Sequence, residues 1–272
     1  MAARRAIVVG FGMVGQANAI ALLKLGYDVS YYDIVSPRLH FVEEWADCYE
    51  RILSVTNPCE LDDENVVYVV CVSDEIDAHG KQDISFIKRA LCQLNSVVGT
   101  VLLRSTVLPH NLSQLKFDFY VPDFLRGRTA ISDSLNPEIC IIGTNGNSPF
   151  PEFLRVIYQN AQKKYLGTPE EAAFIKYISN IWNASRIAFV NEVGATIEAS
   201  GIVDANSVDR LIDVVFSKAD YLMYGMPFGG RCLPKDSLAF LSWCRERGYP
   251  STLLGATVTS NSEHEKRCGI VT

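Results

Sequence analysis

The chain has 272 residues, 48% of them hydrophobic and 21% charged, with a formal net charge of -6 at pH 7. This supplies a large core and excludes disordered-tail and fibrous readings, and the acidic balance gives no general attraction to nucleic-acid phosphates or anionic lipid. Eight cysteines, at 48, 59, 71, 92, 140, 232, 244 and 268, form no CxxC pair. They read as reduced thiols of a cytoplasmic protein, with no disulfide framework and no metal site.

At the N-terminus, Arg4 and Arg5 precede an apolar stretch, but glycines at 10, 12 and 15 interrupt it, so the segment reads as a strand and not a secretion signal. No run of 18 apolar residues occurs, so no membrane span is expected. Strands are expected at Ala6 to Gly10, Val29 to Asp33, Val66 to Val72, Thr100 to Ser105, Phe117 to Val121 and Ile139 to Gly143. Helical patterns at 13–25, 38–52, 83–94 and 151–162 separate most of them. Such alternation predicts an α/β fold with a doubly wound parallel sheet of the Rossmann type.

After Gly167 the pattern changes. Thr168-Pro169-Glu170-Glu171 combines an N-cap threonine, a proline at the first helical position and a glutamate three residues after the cap. No proline interrupts the stretch from there to Gly201, so one helix about 48 Å long is expected, a spine between two halves. Further helices are expected at 205–216, 237–247 and 252–266. The expected division is a dinucleotide-binding domain over 1–167 and a helical domain over 168–272.

Gly10-Phe11-Gly12-Met13-Val14-Gly15 follows a strand and opens a helix, the setting in which a GxGxxG run binds a dinucleotide. The first glycine permits the turn, the second lets backbone N–H groups approach a pyrophosphate, and the third lets helix and strand pack closely. Asp33 ends the second strand, where a carboxylate would accept hydrogen bonds from ribose hydroxyls and repel a 2′-phosphate. That favours NAD over NADP. Arg38, close by, is the counter-indication and a further candidate cofactor contact.

A second constellation lies at Phe228-Gly229-Gly230-Arg231-Cys232-Leu233-Pro234-Lys235-Asp236, where flanking cations should favour a nucleophilic thiolate at Cys232. Lys176 and Asn180 stand at i,i+4 on the long helix and share a face. A lysine and an amide projecting together could serve as a base or charge donor and an oxyanion donor. With a nicotinamide site, the set fits oxidation of an alcohol, with a thiol able to capture an aldehyde.

The loop resembles the GFGGSCxxKD-type signature of the UDP-glucose/GDP-mannose dehydrogenase family. The resemblance continues through Arg104-Ser105-Thr106-Val107, Val121-Pro122-Asp123-Phe124-Leu125, Lys176-Tyr177-Ile178-Ser179-Asn180 and Phe189-Val190-Asn191-Glu192. It implies two successive NAD-dependent oxidations of a sugar primary alcohol to a carboxylate. By this resemblance Cys232 is the covalent nucleophile, Asp236 with Lys176 handles the alcohol proton, Asn180 steadies the oxyanion and Thr106 positions water. Asp123 stands where the family's NPEF glutamate activates water. Phe124, Leu125, Arg126, Phe228, Gly229 and Lys235 are implied to contact a sugar, nucleotide-sugar or nucleoside-type substrate, and Val72, Ser73, Ser105 and Thr106 the cofactor. A homodimer through the long helix is also implied.

The departures matter. The family's NPEFLxEG is replaced by Val121-Pro122-Asp123-Phe124-Leu125-Arg126-Gly127-Arg128, the serine before the nucleophile by Arg231, and Val-Pro-Thr-Pro by Val72-Ser73-Asp74-Glu75. Family members carry a further nucleotide-gripping domain after the position of Asn261, and its lack is expected to loosen the case for a nucleotide-sugar substrate. A single-step alcohol or β-hydroxyacid dehydrogenase and a non-catalytic NAD-binding dimer therefore stay open.

Overall fold

The computed structural model describes residues 4–146, 148–216, 222 and 224–270. They group into two compact units, one of Met1–Glu75 with Asp83–Lys176, the other of Ile76–Gln82 with Tyr177–Thr272. The boundary thus falls inside the long helix, beyond the expected 167/168 division, and a short stretch of the N-terminal half belongs with the second unit.

In the first unit the elements run β1 (Arg5–Val9), α1 (Met13–Lys24), β2 (Asp28–Tyr32), α2 (Val42–Tyr49), β3 (Leu53–Ser54), β4 (Val66–Val70), α3 (Ser85–Gln93) and β7 (Thr100–Leu103); between β4 and α3, β5 (Glu75–Ile76) and β6 (Gln82–Asp83) pair as a separate ribbon whose residues 76–82 belong to the second unit. They continue through α4 (Pro109–Leu112), β8 (Phe119–Tyr120), α5 (Ala130–Leu135), β9 (Ile139–Gly143), α6 (Glu152–Asn160) and β10 (Lys163–Gly167). The sheet order is β10-β9-β8-β7-β4-β1-β2-β3. The chain moves outward from β1 through β2 to β3, then returns to β1's other side with β4, the reversal that opens a crevice at the strand carboxyl ends.

The central strands are apolar on both faces because both are covered. Ala6 and Val8 enter one layer with α1, α5 and α6, while Ile7 and Val9 enter the other with α3, α4 and the first turn of the long helix. The expected Rossmann-type sheet is present, its strands pairing parallel except where β8 and β9 meet antiparallel at Tyr120 and Gly143. Edge strand β10, reading Lys-Lys-Tyr-Leu-Gly, was not expected. Its two lysines hide it from an apolar pattern yet suit an exposed sheet edge.

The helix expected at 38–52 is confined to Val42–Tyr49 and broken at Trp45. The buried amide of Gln16 holds the preceding backbone out of helical form by donating to the Arg38 carbonyl at 2.8 Å and accepting from His40 N–H at 2.9 Å.

The long helix α7 (Pro169–Ser200) has 32 residues and opens as expected. Thr168 N–H donates to Glu171 Oε2 at 2.8 Å and Glu171 N–H donates to Thr168 Oγ1 at 3.3 Å, a reciprocal capping box. Gly201, at φ +63°, stops it. In the second unit α8 (Val208–Phe216), α9 (Cys232–Arg247) and α10 (Thr252–Arg267) follow. Helix α9 begins five residues before the expected 237, which puts Cys232 on a helix instead of in a loop. Pro234 is tolerated there because the first turn needs no intrahelical N–H donor.

Candidate functional site

The nucleotide loop joins β1 to α1. Gly10 sits at φ +89°, and a side chain there would meet the Cys71 and Val72 backbone at 2.9 Å. A side chain at Gly15 would overlap the Gly10 carbonyl, so both glycines are required by the protein's own packing. Gly12 differs: nothing lies within 4 Å of the position its Cβ would take. The Met13, Val14 and Gly15 N–H groups open α1, where the first-turn donors lack intrahelical acceptors. A bare glycine face beside such donors fits a pyrophosphate.

Asp33 accepts from Phe11 N–H at 2.6 Å and Val35 N–H at 3.1 Å. It therefore braces the glycine loop at the position expected for ribose recognition. Arg38 is exposed, and its described role is through its carbonyl, held by Gln16. At the crevice edge, Ser105 Oγ donates to the Val72 carbonyl at 2.6 Å, joining the ends of β7 and β4, with Thr106 half-buried and Ser73 exposed beside them.

Asp123 follows β8 and is buried. Arg104 Nε donates to its Oδ2 at 2.8 Å and Arg104 Nη2 pairs with its Oδ1. Asn18 Nδ2 adds a third donor at 3.3 Å. Lys176 Nζ donates to the backbone carbonyl of Asp123 at 2.5 Å and lies 4.7 Å from the ring centroid of Phe124. The structure thus brings Lys176, Asp123 and Phe124 together. Around the pair, burial pushes the Cys140 thiol up to about 11, and burial with the Asp123 charge pushes Cys71 higher still, so both stay neutral.

Leu125 is half-buried, and Arg126 is held by Asp133, which accepts from its backbone N–H at 3.0 Å and from Nη2 at 2.9 Å. Burial works against the Asp133 carboxylate, but hydrogen bonds from Arg126 and Thr129 outweigh it and hold the group below its usual range.

In the second unit, Asn180 Nδ2 donates to Asp236 Oδ2 at 2.6 Å and Lys235 Nζ to Asp236 Oδ1 at 2.7 Å. Asp236 is 1% exposed, so its charge is balanced by these partners and not by water. Cys232 is exposed at the first residue of α9, one turn before Asp236. Phe228 is buried and Gly229 exposed in the approach to it. Two asparagines fix that approach. Asn191 donates to the Met226 carbonyl at 2.7 Å and accepts from Gly225 N–H at 2.9 Å; Asn261 accepts from Phe228 N–H at 2.7 Å and donates to its carbonyl at 3.1 Å.

Sequence reasoning did not single out Gln16, Asn18, Arg104 or Asn261 as site residues. The first two carry a readable signal, since amides in the otherwise apolar run of α1 must be satisfied if buried.

Residues 170–263 match the central domain of the UDP-glucose/GDP-mannose dehydrogenase family. A GDP-mannose 6-dehydrogenase of Pseudomonas putida is 27% identical over 94% of this chain and 68% of its own length. The structure of a UDP-glucose dehydrogenase from the archaeon Pyrobaculum islandicum superposes with a TM-score of 0.83 at 25% identity, covering 98% of this chain and 72% of that one. A 3-hydroxyisobutyrate dehydrogenase of Mycobacterium tuberculosis shares the fold at a TM-score of 0.68 and 14% identity, with 97% and 94% covered. The chain spans about two thirds of the length of the curated relatives it matches.

Proposed function

From a chain homologous to the UDP-glucose/GDP-mannose dehydrogenase family, we propose an enzyme that oxidises the primary alcohol of a sugar or nucleotide-sugar, with one hydride transfer to an aldehyde as its main reaction. NAD is the cofactor, in keeping with the bare face of Gly12 and with Asp33 at the end of β2. When bound, it takes the hydride from the carbinol carbon.

The chain's own groups handle the oxygen. Asp236, buried beneath Asn180 and Lys235, receives the hydroxyl proton, so that alcohol and oxidised cofactor yield aldehyde, reduced cofactor and one proton. Lys176 lends positive charge to that oxygen, and Asn180 steadies it with its amide. The observation that carries the single-transfer reading is the engagement of Asp123. The carboxylate that would activate water against a thioester is gripped at both oxygens by a guanidinium that never gives up its proton, whereas the partners of Asp236 are an amide and an amine.

Cys232 supports a second reading, because it is exposed at the start of a helix with Asp236 one turn on. Its thiolate would add to the aldehyde carbon. Loss of a second hydride to a second NAD would leave a thioester, and water would release the acid and the thiol.

The deciding experiment counts NADH formed per substrate for wild type and Cys232→Ala, using UDP-sugars, GDP-sugars, nucleosides and free sugars. One NADH in both supports the single transfer; two falling to one overturns it in favour of the covalent route. NAD binding with no turnover on the whole panel overturns the enzyme reading and favours a non-catalytic NAD-binding dimer.

The reading extends to a homodimer through α7, supported by Ile178, Trp182 and Phe189, large apolar side chains 65%, 63% and 55% exposed at helical spacings of four and seven. It extends also to a cytoplasmic setting, supported by eight unpaired thiols. Among the described residues no helix is long and apolar enough to cross a membrane.

A further inference from the structure

Arg104 touches neither substrate nor cofactor in the chemistry above, yet it is 7% exposed and carries a charge that burial makes costly. We propose that Arg104 is a positioning residue for Lys176, acting through Asp123. The inference rests on the proposed role of Lys176 in the oxidation.

The Arg104 fork grips both oxygens of a carboxylate that is itself 8% exposed. Two-point pairing fixes the carboxylate plane, and Asn18 at 3.3 Å blocks its remaining swing. Fixing that side chain fixes the peptide it belongs to. The carbonyl of that peptide accepts the Lys176 ammonium at 2.5 Å, and the next residue, Phe124, supplies the ring beneath it. Carbonyl and ring thus lie on a two-residue segment pinned from below by one guanidinium. Arg104 Nη1 has no hydrogen-bond partner among the described residues, so the grip of this side chain is spent on Asp123. Asn18 also donates to the Val14 carbonyl at 2.9 Å, in the first turn of α1. The seat of Lys176 is therefore tied to the helix that opens at the nucleotide loop.

A lysine would keep the charge at 104 but lose the planar fork, and asparagine would keep the shape at 123 but lose the charge. The test measures acetylation of Lys176 by acetic anhydride at fixed pH in the substrate-free protein, read by mass spectrometry against exposed Lys116. Steady-state kinetics on the same proteins complete it. Asp123→Asn is expected to raise Lys176 labelling about tenfold, the worth of one charged hydrogen bond. It should lower kcat by a similar factor, with KM for NAD within about twofold of wild type.

Arg104→Lys should show the same pattern and keeps the test available if the first variant folds poorly. Unchanged labelling in either variant, with only a lower melting temperature, would overturn the proposal and leave the pair a purely structural one. Because labelling needs no substrate, a protein that oxidised no sugar would sink the functional reading while the positioning result stood. An active variant with unchanged labelling would sink only the positioning.

Discussion

The amide of Asn180 and the carboxylate of Asp236 meet at 2.6 Å, joining a residue of α7 to one in the second turn of α9. Asp236 is buried, so removing the amide leaves its carboxylate, among the described residues, to Lys235. Asn180→Ala should lower kcat by about 100-fold, within the usual range for acid–base partners, with KM for NAD nearly unchanged. Asp236→Asn should do at least as much. Steady-state kinetics under saturating NAD check both.

The nucleotide loop separates packing from ligand binding. Gly10→Ala forces a side chain into a left-handed conformation and against the Cys71 and Val72 backbone, and should cost about 2 kcal/mol or more of stability. Gly12→Ala meets no protein atom and should leave the melting temperature unchanged while weakening NAD binding at least about tenfold. Thermal melts and calorimetric NAD titration distinguish the two, without any substrate.

Asn261 satisfies both backbone groups of Phe228 from α10. Asn261→Ala should cost about 3 kcal/mol in urea unfolding, since two buried backbone groups lose their partners. Asn261→Asp keeps the acceptor but sets a buried carboxylate oxygen against the Phe228 carbonyl and the Glu265 carboxylate, which the amide now serves, and should cost at least as much. An Asp variant clearly less damaging than Ala would show that the acceptor arm alone carries the contact.

The folded Asp133 carboxylate lies below its usual range, so its stabilisation is present above the unfolded value and is lost as pH falls through the folded one. Asp133→Asn should therefore cost about 1–2 kcal/mol at pH 7, the Arg126 end being largely exposed. The gap to wild type should close below about pH 4. Chemical denaturation at pH 7, 5 and 3 tests this.

How legible the site was depends on the kind of signal each residue leaves. Gly10, Gly15 and Thr168 announce themselves, because a positive φ, a close helix–strand approach and a capping box each demand particular residues at fixed offsets. The pairing of Asn180 with Asp236 needed the folded chain, since 56 positions separate them. Arg104 was visible only as part of a motif, and nothing in its neighbours in sequence says that its partner is Asp123. The edge strand at Lys163–Gly167 went unseen because an exposed edge tolerates lysines that a buried strand would not. The break before α2 depends on Gln16, whose amide reaches a segment more than twenty positions away.

The ribbon at 76–82 leaves the first unit in mid-sequence and belongs to the second, where Gly80 lies against Leu238 and Lys81 pairs with Glu246 at 3.6 Å. Neither unit is therefore a continuous stretch of polypeptide. During synthesis the nucleotide-binding unit has all its residues once position 176 has left the ribosome. The ribbon must wait for α9, more than 150 residues behind it, before it meets the partners it packs on. A cut after position 176 would release the first unit with the ribbon still attached, no single cut would release the second unit whole, and a gene fragment ending before α9 would encode a ribbon without its dock.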